Sequence, residues 1–93
     1  MHPIDRKSIE HDWNQRGFSF GIWCDEPGQV WENYVHDTDE LFMLVEGDVE
    51  LSIEGKASVP KIGVEILIPA NCKHTVKNIG KTKNSLYYGY KKT

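Results

Sequence analysis

Apolar and polar residues alternate along most of this chain with the two-residue period of a β-strand. Phe18, Phe20, Ile22 and Cys24 share one parity, and the Asp-Glu-Pro-Gly sequence at 25–28 is typical of a turn. Similar short segments, each ended by Gly, Pro or a polar cluster, continue to the C-terminus. The pattern predicts seven or eight strands, at residues 18–24, 29–36, 41–45, 49–53, 57–59, 65–68, 74–79 and 85–90.

Two segments depart from this simple alternation. Residues 41–45 are apolar at every position, which predicts a strand that is buried on both faces. Residues 46–48 then form a turn, and we expect a hairpin into the following strand. Residues 4–16 place apolar side chains among good helix formers, and Gly17 follows in the position of a C-cap. The sequence therefore predicts a short N-terminal helix.

These elements indicate an all-β fold. Short strands about 8 to 12 residues apart, with no long helix between them, are typical of a small antiparallel β-barrel or sandwich. A chain of 93 residues has room for one core, so we expect a single domain over 1–93. Within it, 1–17 forms an N-terminal segment and 18–90 forms the barrel.

Composition and charge exclude several classes of partner. The net charge is −3 and the pI is near 5.7, which offers no attraction for nucleic acid or anionic lipid. No apolar run approaches the roughly 20 residues that cross a bilayer, and the N-terminus lacks a secretory signal. Cys24 and Cys72 are too few for a disulfide framework. We therefore expect a cytoplasmic protein with reduced thiols and no nucleic-acid or membrane partner.

Candidate chemistry lies around the third predicted strand. Tyr34 and His36 share a parity and so face the same side of a strand. If residues 37–39 form a three-residue turn, His36 and Glu40 become a cross-strand pair with Cβ atoms about 5 Å apart. That separation suits two ligands of one divalent cation.

A third ligand must come from elsewhere in the chain, and His74 follows a turn-rich segment at the start of another strand. Two His and one carboxylate leave coordination positions open for substrate or oxygen. This set of ligands suits iron, manganese, nickel or zinc, and the sequence does not distinguish among these metals. The alternative is that His36, Glu40 and His74 are polar residues hydrogen-bonded in a barrel mouth, without metal.

The spacing of these residues resembles the first motif of the cupins, a family of small β-barrels. That motif is Gly, five residues, His-x-His, three or four residues, Glu, six residues, Gly. His36, Glu40 and Gly47 match the second His, the Glu and the final Gly. Tyr34 stands where the motif has its first His, so it is either a fourth ligand or a residue that orients the ligands or contacts substrate.

The second cupin motif is Gly, five residues, Pro-x-Gly, two residues, His, three residues, Asn. Gly63, Pro69, His74 and Asn78 match it, and Asn71 replaces the inner Gly. Asn tolerates the left-handed backbone that Gly supplies in such turns. The resemblance covers about residues 18–90 and implies a jelly-roll barrel, also called a double-stranded β-helix, with the ligand residues inside.

The resemblance leaves function open, because cupins include dioxygenases, isomerases, other enzymes and non-catalytic binding proteins. One hypothesis is a metal-dependent enzyme of the dioxygenase or isomerase type, acting on a small anionic or chelating organic molecule. The other is a non-catalytic cupin that binds a small molecule without metal. Four aromatic residues on strands are expected to line the pocket, although core packing would also explain them: Phe20, Phe42, Tyr88 and Tyr90.

Self-association is a further expectation from the first strand. Trp23 has the parity opposite to Phe20 and Ile22, so a large aromatic side chain would remain outside if the other face entered the core. Small cupins resembling this chain are commonly dimers, which implies a homodimer.

Overall fold

Residues 4–92 are described by the structure, a computed structural model, and they contain one helix and eight strands. The helix is α1 (Arg6–Gln15). The strands are β1 (Gly21–Asp25), β2 (Val30–Tyr34), β3 (Glu40–Glu46), β4 (Glu50–Ile53), β5 (Lys56–Ser58), β6 (Glu65–Ile68), β7 (His74–Lys77) and β8 (Asn84–Tyr90). Within this range, no helix is long and apolar enough to cross a bilayer.

The strands form two four-stranded sheets that face each other as a jelly roll. Their orders are β1-β8-β3-β6 and β2-β7-β4-β5, and all the pairings are antiparallel. Along the chain, only β4 and β5 are consecutive strands of one sheet; every other connection crosses to the opposite sheet. The predicted all-β jelly-roll barrel with a short N-terminal helix is confirmed.

The hairpin predicted at 46–48 is wrong, because β3 and β4 lie in opposite sheets. Gly47 has φ of +85°, a conformation that redirects the chain between sheets at little cost for glycine. A Cβ at Gly47 would lie 2.9 Å from the Cβ of Asn84, so the crossing also needs the missing side chain. Alternation along β4 predicted a strand there but carried no information on its partner.

The main core fills the space between the two sheets. Its members are apolar residues almost fully removed from solvent: Phe42, Leu44, Val49, Leu51, Ile68 and Leu86. They come from both sheets, so the barrel interior is a continuous apolar cluster at one end. The other end opens into the cavity described below.

A second core lies on the outer face of the sheet that contains β3. The α1 side chain Trp13 is 0% exposed and packs with Leu41, Met43 and Tyr87. Residues 41–45 are therefore apolar on both parities because one face meets the barrel interior and the other meets the helix. This confirms the prediction that the strand is buried on both faces.

Both ends of α1 are capped, and of the two caps the sequence predicted only the one at Gly17. The Asp5 carboxylate accepts hydrogen bonds from the backbone N–H groups of Lys7 and Ser8. Gly17 adopts φ of +86° just past the last turn. The helix is then held to β6 by Glu65, which accepts from Trp13 Nε1 at 3.0 Å and pairs with Arg16 at 2.8 Å.

Candidate metal centre

The three predicted ligand residues come from two sheets and meet inside the barrel. His36 lies in the connection after β2, Glu40 is the first residue of β3, and His74 is the first residue of β7. His36 and Glu40 are not cross-strand neighbours, because β2 and β3 lie in opposite sheets. The predicted three-residue hairpin is therefore wrong; residues 37–39 carry the chain from one sheet to the other.

That crossing is tied to the loop that precedes His74. The Asp39 carboxylate accepts the backbone N–H of Ala70 at 2.8 Å, and the N–H of Asn71 donates to the His36 carbonyl at 2.6 Å. Asn71 has φ of +63°, the left-handed conformation expected where the second motif has Gly. These bonds fix the two His residues relative to each other, although they are 38 positions apart.

The candidate ligand atoms lie close together around one point. Glu40 Oε1 is 3.3 Å from His36 Nε2 and 3.6 Å from His74 Nε2. One ligand atom from each residue lies within 4.8 Å of the others. The side chains of Glu40 and His74 are only 8% and 5% exposed, whereas that of His36 is 27% exposed. The group thus has a buried side and a side that opens to the cavity.

Burial leaves this group electrostatically incomplete. It raises the pKa of Glu40 to about 7, because the carboxylate loses its hydration. It also lowers the pKa of His36, with nearby His74 as the second cause. A neutral His36 provides no positive charge to Glu40, and Glu40 Oε1 has no hydrogen-bond partner among the described residues.

The orientation of His74 suits coordination by its Nε2 atom. Its Nδ1 atom lies 3.3 Å from the Cys72 carbonyl, which can only accept a hydrogen bond. When Nδ1 carries the proton, the Nε2 lone pair faces Glu40. Two imidazole nitrogens and an unpartnered carboxylate oxygen fit a divalent transition metal, which would supply the missing positive charge.

A cavity of about 250 Å³ adjoins these residues. Three of the four aromatic residues expected in its wall do line it, namely Phe42, Tyr88 and Tyr90. The ring of Tyr90 packs edge-on against His36 with centroids 4.9 Å apart. Burial and the nearby Glu40 charge raise the pKa of Tyr90 to about 12, so its hydroxyl stays protonated.

Phe20 is not among the residues that line this cavity, contrary to expectation. Its ring packs outside the barrel, 5.6 Å from Trp13 and 4.9 Å from Tyr87 between centroids. The reason is parity: Ile22, which shares the parity of Phe20, pairs with Tyr87 on the helix-facing side of the sheet.

Trp23 has the opposite parity and lines the cavity, so it is not the outward-facing residue that the sequence predicted. Sequence reasoning also missed Trp31 and Asp25, which lie on the same wall. Asp25 shares the parity of Trp23, and this was the signal available for it. Using that signal required knowing which face of β1 points inward.

Tyr34 lies beside the two His residues. Its ring centroid is 6.4 Å from that of His36 and 6.5 Å from that of His74, and 43% of the residue is exposed. Asn33, with φ of +54°, lies at an irregularity of β2 just before it. The two roles predicted for Tyr34, a fourth metal ligand or a residue that orients the ligands or contacts substrate, both stay predictions.

Comparison with known proteins identifies the family. The family model described as Cupin domain matches residues 21–88, nearly three quarters of the chain. The chain therefore belongs to the cupin family, as its two motifs predicted. A comparison with curated protein sequences finds no significant match.

Solved structures share the fold at low sequence identity. The plu4264 protein of Photorhabdus luminescens superposes with a TM-score of 0.75 at 21% identity, over 83% of this chain and 64% of that one. An oxalate oxidase in complex with the substrate analogue glycolate gives 0.74 at 22% identity, over 83% and 43%. The Cnp3 cupin domain of Schizosaccharomyces pombe gives 0.76 at 20% identity, over 83% and 57%. The chain thus spans 43 to 64% of these proteins, and the likeness shows the fold alone.

Proposed function

We propose that this protein is a metal-dependent cupin that holds a divalent transition metal on His36, Glu40 and His74. The observation that carries the proposal is the convergence of their ligand atoms within 4.8 Å around a buried carboxylate oxygen with no hydrogen-bond partner. Such an oxygen is costly to bury unless a cation or a donor faces it. Iron, manganese, nickel and zinc all accept this donor set.

The proposed reaction takes place on a small organic molecule in the adjoining cavity. A bound metal would act there as a Lewis acid or, if redox-active, as a centre for oxygen chemistry. The protein's own residues shape the site: the Cys72 carbonyl orients His74, and the rings of Tyr88 and Tyr90 line the cavity. An oxalate oxidase of this fold has been solved with glycolate, which supports a small oxygen-bearing ligand as a candidate.

The alternative is a cupin that binds its ligand without metal or turnover. The observation that favours it is Tyr34, which replaces the first His of the family motif and leaves three ligand residues instead of four. In that case the Glu40 carboxyl would be neutral in part near pH 7, given its pKa of about 7, and could donate a hydrogen bond to the ligand.

Metal analysis of protein purified without a chelating tag separates the two proposals. The wild type should carry close to one metal per chain, and His36→Ala and His74→Ala should each lose it. Tyr34→Phe should retain the metal if Tyr34 only contacts the ligand residues. Loss of the metal in Tyr34→Phe would show that Tyr34 is itself a ligand. The exposed helix residue His11 provides the control, because His11→Ala should change nothing. Equal trace metal in all these proteins would refute the metal proposal.

Self-association remains part of the proposal, although Trp23 faces the cavity and cannot support it. On the helix-facing side of the sheet formed by β1, β8, β3 and β6, Ile22 and Leu67 are 46% and 51% exposed at the two edge strands. A second copy that covers this side would remove both side chains from water. A cytoplasmic location likewise remains a proposal, supported by composition.

A further inference from the structure

The cavity has a second polar end, formed by Asp25 at the close of β1. Asp25 is only 4% exposed and lines the same cavity as His36, Glu40 and His74. Its Oδ1 atom accepts hydrogen bonds from the indole N–H groups of Trp23 at 2.7 Å and Trp31 at 2.9 Å. Its Oδ2 atom has no hydrogen-bond partner among the described residues. One buried carboxylate oxygen is therefore left for something else to satisfy.

The backbone of Asp25 is held by hydrogen bonds that do not involve its Oδ2 atom. The Asp25 N–H donates to Asn84 Oδ1 at 3.2 Å, and the Asp25 carbonyl accepts from Asn78 Nδ2 at 3.0 Å. Both Asn residues are 1% exposed. These bonds position the end of the strand without using Oδ2. The Asp25 carboxylate is therefore held in place before any ligand binds.

Aromatic rings connect this end of the cavity to the metal centre. The Trp23 and Trp31 rings meet edge-on with centroids 5.7 Å apart, and the Trp31 and Tyr34 centroids are 6.0 Å apart. Tyr34 in turn lies 6.4 Å from His36. Aromatic rings beside a carboxylate attract organic cations, through the negative ring faces and the ionic hydrogen bond together.

The charges around the cavity favour the same kind of ligand. Among the described residues, its lining contains two carboxylates, Asp25 and Glu40, and no Lys or Arg. A purely anionic ligand would find its positive partner only in a metal and would meet a carboxylate at the other end. A ligand with a positive group at one end and a metal-binding group at the other satisfies both.

We propose that the Asp25 end of the cavity binds the protonated amine of an extended ω-amino carboxylate whose carboxylate group reaches the His36, Glu40 and His74 centre. Asp25 and Glu40 pair with Asn84 and Tyr90, which are six residues or roughly 20 Å apart along β8, so the two charged groups of the ligand must be well separated. The metal end of this assignment rests on the proposed function, whereas the amine end rests on Asp25, Trp23 and Trp31 alone. This places the ligand among amino acids and related amines and away from simple dicarboxylates.

The experiment compares matched ligands on zinc-loaded protein at pH 7. The probes are straight-chain ω-amino acids of about six to ten carbons, long enough for the separation along β8, and the corresponding carboxylic acids that lack the amine. Binding is followed by calorimetry and tryptophan fluorescence; the signal reports the cavity because Trp23 and Trp31 line it, whereas Trp13 is 0% exposed in the helix core. At least one amino acid should bind about 10- to 100-fold more tightly than its amine-free partner.

Two variants assign the preference to Asp25. Asp25→Asn keeps an oxygen for the indole donors but removes the charge, so it should reduce the preference to less than about twofold and retain zinc and carboxylate binding. The control is Glu26→Gln, which removes a neighbouring carboxylate that is 72% exposed and should leave the preference unchanged. The comparison of amino acids with amine-free acids uses the wild type alone, so it tests for the amine preference even if Asp25→Asn does not fold.

The outcomes separate this inference from the proposed function. Equal affinity for amino acids and amine-free acids in zinc-loaded wild type, or a preference that survives Asp25→Asn, overturns the amine assignment and leaves the metal site standing. If the wild type retains none of zinc, iron, manganese and nickel, the proposed function fails. The metal-free protein is then titrated with butylammonium and with butanol, and an Asp25-dependent preference for butylammonium supports the amine end, whereas its absence overturns it.

Discussion

Replacing Glu40 by Gln should stabilise the metal-free protein, and the gain should grow with pH. Gln has the shape of the protonated carboxyl group but cannot ionise. In the folded protein burial raises the pKa of Glu40 from 4.5 to about 7, so the folded state holds the proton more tightly than the unfolded state does. The contribution of Glu40 to stability is therefore fully present below pH 4.5 and is lost as the pH rises through about 7.

The size of the effect follows from that interval. At about 1.4 kcal/mol for each tenfold change in the proton equilibrium, the interval from 4.5 to about 7 corresponds to about 3 kcal/mol. Glu40→Gln should therefore exceed the metal-free wild type in free energy of unfolding by about 3 kcal/mol at pH 8, and by less than about 1 kcal/mol at pH 5. The lowered pKa of His36 acts in the opposite direction, but both proteins contain His36 and the comparison cancels it to first order.

Urea unfolding of both proteins, with a chelator present and at half-unit steps from pH 5 to 8, measures this difference. A bound divalent metal should reverse the sign in the wild type, because the ionised carboxylate then has a cation beside it. Parallel stability profiles for the two metal-free proteins would refute the reasoning, since they would mean that the Glu40 carboxylate is solvated or already paired.

Three further outcomes test the rest of the architecture. Gly47→Ala should destabilise the protein by more than about 1 kcal/mol in urea unfolding. Gly28 also has φ of +84°, but a Cβ there would have no atom within 4 Å, so Gly28→Ala should cost less. Equal losses for the two variants would contradict the steric explanation. Trp13→Ala should cost about 3 to 5 kcal/mol in the same assay because Trp13 is 0% exposed, and a loss below about 1 kcal/mol would show that α1 is not docked. Sedimentation at tens of micromolar, an order-of-magnitude working range, should show a dimer, and a monomer there would reject self-association.

The amino-acid sequence by itself determined much of this protein. Period-two alternation specified the β class, and the uniformly apolar 41–45 segment specified a strand covered on both faces. Gly17 marked the C-terminal end of the helix through local capping chemistry. The spacing of His36, Glu40 and His74 matched the cupin motifs, because a jelly roll places those positions at strand ends that converge.

Only the tertiary structure decided which strands are partners and which faces point inward. Alternation shows that two residues share a face, but it is the same whether that face meets the core or the solvent. For this reason Phe20 was expected in the cavity and Trp23 outside it, and the structure has them reversed. The same ambiguity hid Asp25, whose free carboxylate oxygen became a feature of the cavity only when Trp23, Trp31 and the metal centre were brought to one interior.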